Sequence, residues 1–501
     1  MTLITNQNTK KKILFYDPFA LWPFHLETNL ELFNHHVEAG DDVTILVCNG
    51  DLESCEPNPS HNRDQCRVCF ARRNSAIDLL GLRHKVTLKP LKRLNKKDYE
   101  ILNQYRDIDI QSLEQLKHLK FEECDIGMGV LSSLISYLRE PNPDVIGQAD
   151  FIKKNINSAL LVYLSLINHL ENLKPDLLYV FNGRFASLRP ALRAAQLLGI
   201  DVQVHERAGV AQRYSLTSNT YPHDLENFKK EIYQHWESSL LPESEKITIG
   251  EQWFQDRRSG DAQAWISFTS DQKNILPEFF NSAKTNIVIF NSSEDEFCAI
   301  EEWRNPVYRD QNCGILKIVK DLEDESDLEI YLRVHPNLKG VKNSQTSCIE
   351  SMKGCYKHFH VINAESPISS YKLLDTADLV ITFSSTIGVE ASYYGKPVLL
   401  LGRAVYEDLE VCTKVKSHQD AIDFICQRKF RMMNKNILEA RKINATKYGF
   451  YMNTYGYAMR LFFQLDSMSL TYQDQYIKSN LNLLEKLQTE FFMKVFPLQL
   501  Y

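Results

Sequence analysis

This sequence predicts an α/β protein of two doubly wound domains, each a largely parallel sheet with helices on both faces. Three observations point there. At 501 residues the chain exceeds the ~250–300 residues at which a single core stops growing. Apolar strands alternate with helically spaced segments in two separate series, and both series are rich in strands that end in polar turns.

The first series opens with "KKILFYD" (11–17), a strand, and the loop "PFALWPFH". "LETNLELFNHHVEAG" (26–40) spaces Leu26, Leu30, Phe33 and Val37 as one helical face and closes on a glycine. "DVTILVCNG" (42–50) is the next strand. The pattern resumes with the strand "DLLYVFNGR" (176–184), the helix "ASLRPALRAAQLLG" (186–199) and the strand "IDVQVHERAG" (200–209). These assign a first domain to 1–240, with a Cys-rich basic insert at 48–97 and a helical, polar-faced insert at 98–174. The polar stretch 240–262 is expected to be a hinge.

The second series, 241–435, contains the strands "TNIVIFN", "DLEIYLRVHP" and "FHVINAESP", the helix "SSYKLLDTA", and the strand–turn–helix–strand run "LVITFSSTIGVEASYYGKPVLLLG" (379–402). Beyond 435 the chain becomes aromatic and helical in pattern, so 436–501 is expected to be a helical tail that packs back on the domains. Such domains bind ligands outside strand carboxyl ends, here in a cleft between the two.

Composition narrows the function classes. A net charge of −6, from 58 basic and 64 acidic residues, argues against a nucleic-acid binder. Residues 63–97 run the other way, with eleven Lys/Arg against Asp64 and Asp78. Such a block suits anionic lipid headgroups or a phosphorylated acceptor, or is simply a solvated face. No window offers the ~18 apolar residues of a membrane span, and "MTLITNQNTKKK" lacks a signal-peptide core. The expected location is cytoplasmic, at the inner face of the cell membrane through the basic block. Of eleven cysteines, Cys48, Cys55, Cys66 and Cys69 cluster around His61. Only Cys66 and Cys69 have zinc-knuckle spacing, so packed free thiols are favoured over a structural zinc.

The chemistry concentrates at two strand ends. Ser384, Ser385 and Thr386 follow "LVITF" and open a helix, where free amides and hydroxyls suit a phosphate ester, unless the serines only cap the helix. Gly388 would let the backbone approach a ligand, and Glu390, one turn on, could accept from ribose hydroxyls. "YLRVHP" ends a strand with Arg333, His335 and Pro336. The proline stops the strand and leaves His335 where it can donate to a departing phosphate oxygen. The acidic run 321–329 reads as a solvated helix end rather than a metal site.

The S-S-T-x-G-x-E-A-x-x-x-G-K-P-V run resembles the nucleotide-binding segment of GT-B glycosyltransferases. His-Pro followed by Ser-Ser resembles the motif pair of bacterial sialyltransferases and capsule-type Kdo transferases. "FNSSEDEF", "FNGRFASLRP" and "HERAG" resemble segments of capsular polysaccharide synthesis proteins. The resemblance implies two Rossmann-like domains and transfer of a sugar from a nucleotide donor, CMP-linked for preference, to a surface polysaccharide or lipid-linked glycan, with no cofactor or metal. It implies that His335 contacts the donor phosphate and that Ser384 and Ser385 bind it. The acidic D/E-D/E-G motif of sialyltransferases is absent from the first half. Glu206 is the candidate base, with Asp17, His25, Asn182, Arg184 and Arg207 as candidate acceptor or sugar contacts. Polyol-phosphate transfer, UDP-sugar 2-epimerisation and a non-catalytic nucleotide-sugar-binding scaffold are the competing functions.

Overall fold

A computed structural model describes residues 10–260, 271–466 and 469–477. It divides into two compact units. The first takes the described residues up to Leu138, then Asn142–Pro222, and resumes at Gly456; the second is Arg139–Pro141 with His223–Tyr455.

In the first unit the strands are β1 (Lys12–Asp17), β2 (Asp42–Val47), β3 (Thr87–Pro90), β4 (Leu177–Phe181), β5 (Val202–Arg207) and β6 (Arg213–Ser218). In the second they are β7 (Thr285–Phe290), β8 (Leu328–Arg333), β9 (Phe359–Ile362), β10 (Leu379–Thr382), β11 (Val398–Leu400) and β12 (Thr413–Lys414). A short β13 (Tyr457–Ala458) returns to the first sheet, and β14 (Phe462–Asp466), β15 (Ser469–Tyr472) and β16 (Gln475–Tyr476) form an antiparallel ribbon.

The first sheet has the order β13-β6-β5-β4-β1-β2-β3, parallel from β5 to β3. The second is β12-β11-β10-β7-β8-β9 and wholly parallel. Both are Rossmann-like and doubly wound. Each reverses direction beside its first strand, between β1 and β4 and between β7 and β10, the switch points where crossovers leave opposite faces of the sheet and open a crevice. Alternation explains the burial of the second sheet. Ile287 and Ile289 face one apolar cluster, Val288 and Phe290 the other. A parallel strand covered on both sides reads as a continuous apolar run.

Four expectations change. The 240–262 stretch is no hinge: Glu243–Ser259 is a helix whose Trp253 and Phe254 are buried and which packs on the helix Lys435–Thr454. The second unit therefore begins at His223 rather than near 241. The 48–97 stretch is no insert, since β3 is an edge strand of the first sheet paired with β2. The helices Ile126–Leu138 and Ala149–Leu173, expected to be polar-faced, are buried over most of their length and form a core layer. Finally, the helical tail ends at Thr454 and gives way to strands; the helical pattern expected from 478 on lies outside the described residues.

The basic block is also partly internal. Arg73 is buried, and Arg72 pairs with Glu27 at 2.5 Å, while Arg67 and Arg83 pair with Asp64 and Asp78. Among the described residues no helix is long and apolar enough to cross a membrane.

Candidate functional site

At the switch point of the second sheet a pocket of about 500 Å³, its open mouth included, is lined by residues following three adjacent strands. β7 runs into Asn291, β8 into His335 and Pro336, and β10 into Ser385 and Thr386. Because Phe290 is in register with both Arg333 and Thr382, these turns leave the sheet at the same level. Arg257, Arg333, Tyr371 and Glu390 complete the polar wall.

His335 sits on a short leash. Its backbone N–H donates to Asn291 Oδ1 at 2.9 Å, and its Nδ1 accepts from the backbone N–H of Asn337 at 3.1 Å. Pro336 opens the single 3₁₀ turn that makes this second bond possible. Burial, and then the positive fields of Arg333 and Arg257, lower the imidazole pKa to about 4. The ring is therefore neutral near pH 7, and since Nδ1 is an acceptor, the proton is on Nε2. It is a hydrogen-bond donor rather than a cation.

Arg333 is 1 % exposed. Its Nη1 and Nη2 donate to the carbonyls of Asn363 and Ser366, while Nε has no hydrogen-bond partner. Burial brings its pKa down to about 10, so it stays charged and gives the pocket a positive potential. Arg257 Nε bonds Glu390 Oε1 at 3.2 Å, and Tyr371 Oη donates to Glu390 Oε2. Both carboxylate oxygens are thus engaged.

The three hydroxyls after β10 separate. Ser385 and Thr386 line the pocket. Ser384 Oγ instead meets Ser292 Oγ at 2.5 Å, in a buried network with Gln311 and Gln345. The simple capping alternative is weak: Thr386 makes no side-chain cap bond, and Ser385 Oγ accepts from Ile387 N only at 3.5 Å. Gly388 departs from its expected role. A Cβ there would lie 2.3 Å from Tyr406 Oη and 2.8 Å from Thr382 Cγ2. The glycine makes room for Tyr406, whose hydroxyl holds the Ser385 carbonyl at 2.6 Å, not for a ligand.

In the first unit, β4 and β5 bring a second group together. Asn182, at φ 56°, donates from Nδ2 to Glu206 Oε2 at 2.8 Å, and Arg207 N donates to Oε1 at 3.0 Å. Burial raises the Glu206 pKa. His25 packs on Phe181 with ring centroids 3.5 Å apart, and burial, then Arg207 and His205, holds its pKa well down. Arg184 and Arg207 lie over the rings of Phe185 and Phe24 at 4.6 and 4.2 Å. Asp17 belongs to different company. Its Oδ1 accepts from Asn29, and burial lifts its pKa to about 6 against the fields of Arg73 and Arg72.

The cysteine cluster does not form a four-thiol site. Among the described residues no group of three or more His, Cys, Asp or Glu is placed to hold a metal. Cys48, Cys66 and Cys69 accept from Gly50 N, Asn58 Nδ2 and Ala20 N, and His61 Nδ1 bonds the Leu52 carbonyl. These are packing contacts. In the acidic run, Glu325 and Asp327 pair with Arg428, and Glu329 pairs with Lys284 and bonds His360.

Sequence reasoning missed Arg257, Asn291 and Tyr371. Asn291 carried a usable signal, as the first polar residue after an apolar strand. Arg257 and Tyr371 carried none, because they reach the pocket from helices.

Residues 305–451 match the family model described as capsule polysaccharide biosynthesis protein. The capsule-type resemblance of the His-Pro and Ser-Ser motifs therefore has independent support across this segment, which includes both. No curated protein matches the chain. Among solved structures, the chain is similar to the β-Kdo 2,4 transferase of Thermosulfurimonas dismutans KpsC (15% identity, 54% of this chain and 79% of that one, TM-score 0.36). It is also similar to S. aureus MnaA with UDP (13%, 88% and 94%, TM-score 0.27). A third is the Methanocaldococcus jannaschii UDP-GlcNAc 2-epimerase in complex with UDP-GlcNAc and UDP (12%, 87% and 97%, TM-score 0.30).

Proposed function

We propose that this protein is a glycosyltransferase of capsule-type polysaccharide synthesis that takes its sugar from a nucleotide donor, CMP-linked for preference. The observation that carries this is the meeting of His335, Arg333, Ser385 and Thr386 around one pocket at the carboxyl edge of a doubly wound sheet. The capsule family match over 305–451 supports it. The residues suit a phosphate: one buried guanidinium, a neutral imidazole N–H and hydroxyl groups, with the carboxylate of Glu390 already tied up by Arg257 and Tyr371.

In this scheme the bond between the anomeric carbon and the donor phosphate oxygen breaks, and that oxygen keeps the electron pair. His335 Nε2–H and Arg333 stabilise the charge growing there, which is the transition-state work that raises turnover. The acceptor hydroxyl bonds the anomeric carbon and loses its proton to a base. Glu206 is the proposed base, because burial raises its proton affinity while Asn182 orients it. Arg184 and Arg207 are the proposed contacts to an acidic sugar. Approach to an anionic membrane surface would fall to the exposed Lys85, Lys92, Arg93, Lys96 and Lys97.

Thermal shift with CMP, CDP and UDP, followed by donor hydrolysis across a panel of nucleotide sugars, tests this. Stabilisation by CMP and release of CMP from one donor support it. Stabilisation by UDP alone removes the CMP preference, and no hydrolysis of any donor removes the transferase.

A further inference from the structure

Asn291 follows the first strand of the second sheet, between the turn bearing His335 and the turn bearing Ser385, and it lines the pocket. It is 1 % exposed. Its amide orientation is dictated by a neighbour: the His335 backbone N–H can only donate, so the atom 2.9 Å away must be Oδ1. The NH₂ group therefore points elsewhere, and it has no hydrogen-bond partner. Buried donors in native proteins are almost always paired, so an unpaired one in a pocket wall implies an acceptor supplied by a ligand.

A second unpaired donor has the same character. Arg333 Nε, on a residue equally buried and in the same wall, also has no partner. Two orphaned donors, one of them charged, call for an acceptor-only group with several oxygens. Ser384, by contrast, is committed to Ser292.

We infer that Asn291 is a ligand-binding residue of this pocket. Its Nδ2 and Arg333 Nε bind oxygens of a phosphate group, while its Oδ1 keeps His335 in place. The phosphate-binding part first read into Ser384 thus falls to Asn291. This rests on the nucleotide-donor reading above for the identity of the phosphate's carrier, and the probes are chosen to separate the two.

The test compares wild type with Asn291→Asp by titration calorimetry against inorganic phosphate, CMP, UMP and cytidine, at pH 7.5. The aspartate keeps an acceptor for the His335 N–H but turns an anionic oxygen toward the ligand. The expected result is at least a tenfold loss of affinity for phosphate and for the preferred nucleoside monophosphate, with cytidine affinity unchanged. Equal affinities in the two proteins overturn the inference, as does a wild type that binds neither phosphate nor monophosphate. Binding of phosphate without any nucleotide leaves Asn291 in its role and removes the nucleotide donor instead. Should the variant not fold, a crystal structure of the wild type soaked with phosphate or a bound monophosphate decides. Nδ2 within 3.2 Å of a phosphate oxygen supports the inference, and a phosphate held elsewhere refutes it.

Discussion

The backbone N–H of Asn337 donates to His335 Nδ1 at 3.1 Å, and this one bond sets the tautomer of the ring. The pocket receives an Nε2–H donor held at a fixed angle. His335→Ala is expected to lower kcat about 10²–10³-fold, the range seen when one transition-state donor is lost. The KM for donor should change far less. His335→Gln, which offers an amide donor near the Nε2 position, should recover part of the rate. Steady-state kinetics on the donor identified by the panel would show it, and undiminished turnover in His335→Ala removes the role.

Buried titratable groups pull stability in opposite directions with pH. Burial lowers His335 to about 4 and His205 to about 3, below the ~6.5 of an unfolded chain. Their contribution is complete above ~6.5 and is lost as pH falls through those lower values. Asp17 is the reverse: at about 6 against ~3.9 unfolded, it contributes below ~3.9 and loses that contribution as pH rises through about 6. Asp17→Asn should therefore raise the urea midpoint at pH 8 relative to wild type and leave it nearly unchanged near pH 4. Denaturation curves at the two pH values measure this, and equal midpoints at pH 8 count against it.

Gly388 and Tyr406 form a steric pair. Gly388→Ala drives a methyl to within 2.3 Å of Tyr406 Oη, an overpacking expected to cost about 1–3 kcal/mol. Tyr406→Phe alone should cost about 1 kcal/mol by removing one of the two donors to the Ser385 carbonyl, the other being the Gly388 N–H. The double variant should be more stable than the sum of the two losses, because removing the hydroxyl makes space for the methyl. Strict additivity in a double-mutant cycle would show that the contact is not what the glycine relieves.

Glu390 is buried between Arg257 and Tyr371. Glu390→Gln removes the charge that balances Arg257. A broken buried pair costs about 3–5 kcal/mol, and partial exposure of Arg257 places this one at or below ~3 kcal/mol. The thermal midpoint should fall, and Glu390→Gln combined with Arg257→Met should recover much of it. No fall in the single variant would mean that water already screens the pair.

Much of the fold was legible because its signals are local. Apolar runs such as Ile287–Phe290 mark strands, and Gly40 and Gly199 mark helix ends in the left-handed conformation. The polar residues that follow β7, β8 and β10 announce a site, since carboxyl ends of parallel strands open onto it. The helix Glu243–Ser259 was not legible, because its buried apolar side chains, Trp253 and Phe254, are few and its sequence is strongly charged.

By itself, then, the sequence determined where strands end and which polar side chains stand there, since period-two burial and turn chemistry act over a few residues. Tertiary structure alone decided what those side chains do. Ser384 is diverted by Ser292, 92 residues away, and Glu390 is engaged by Arg257, 133 residues away. Arg72 is drawn in by Glu27, and Gly388 serves Tyr406 rather than a ligand. Each outcome depends on a partner brought close only when the sheet assembles, and a hydrogen bond or a steric contact made at that distance leaves no mark in local order.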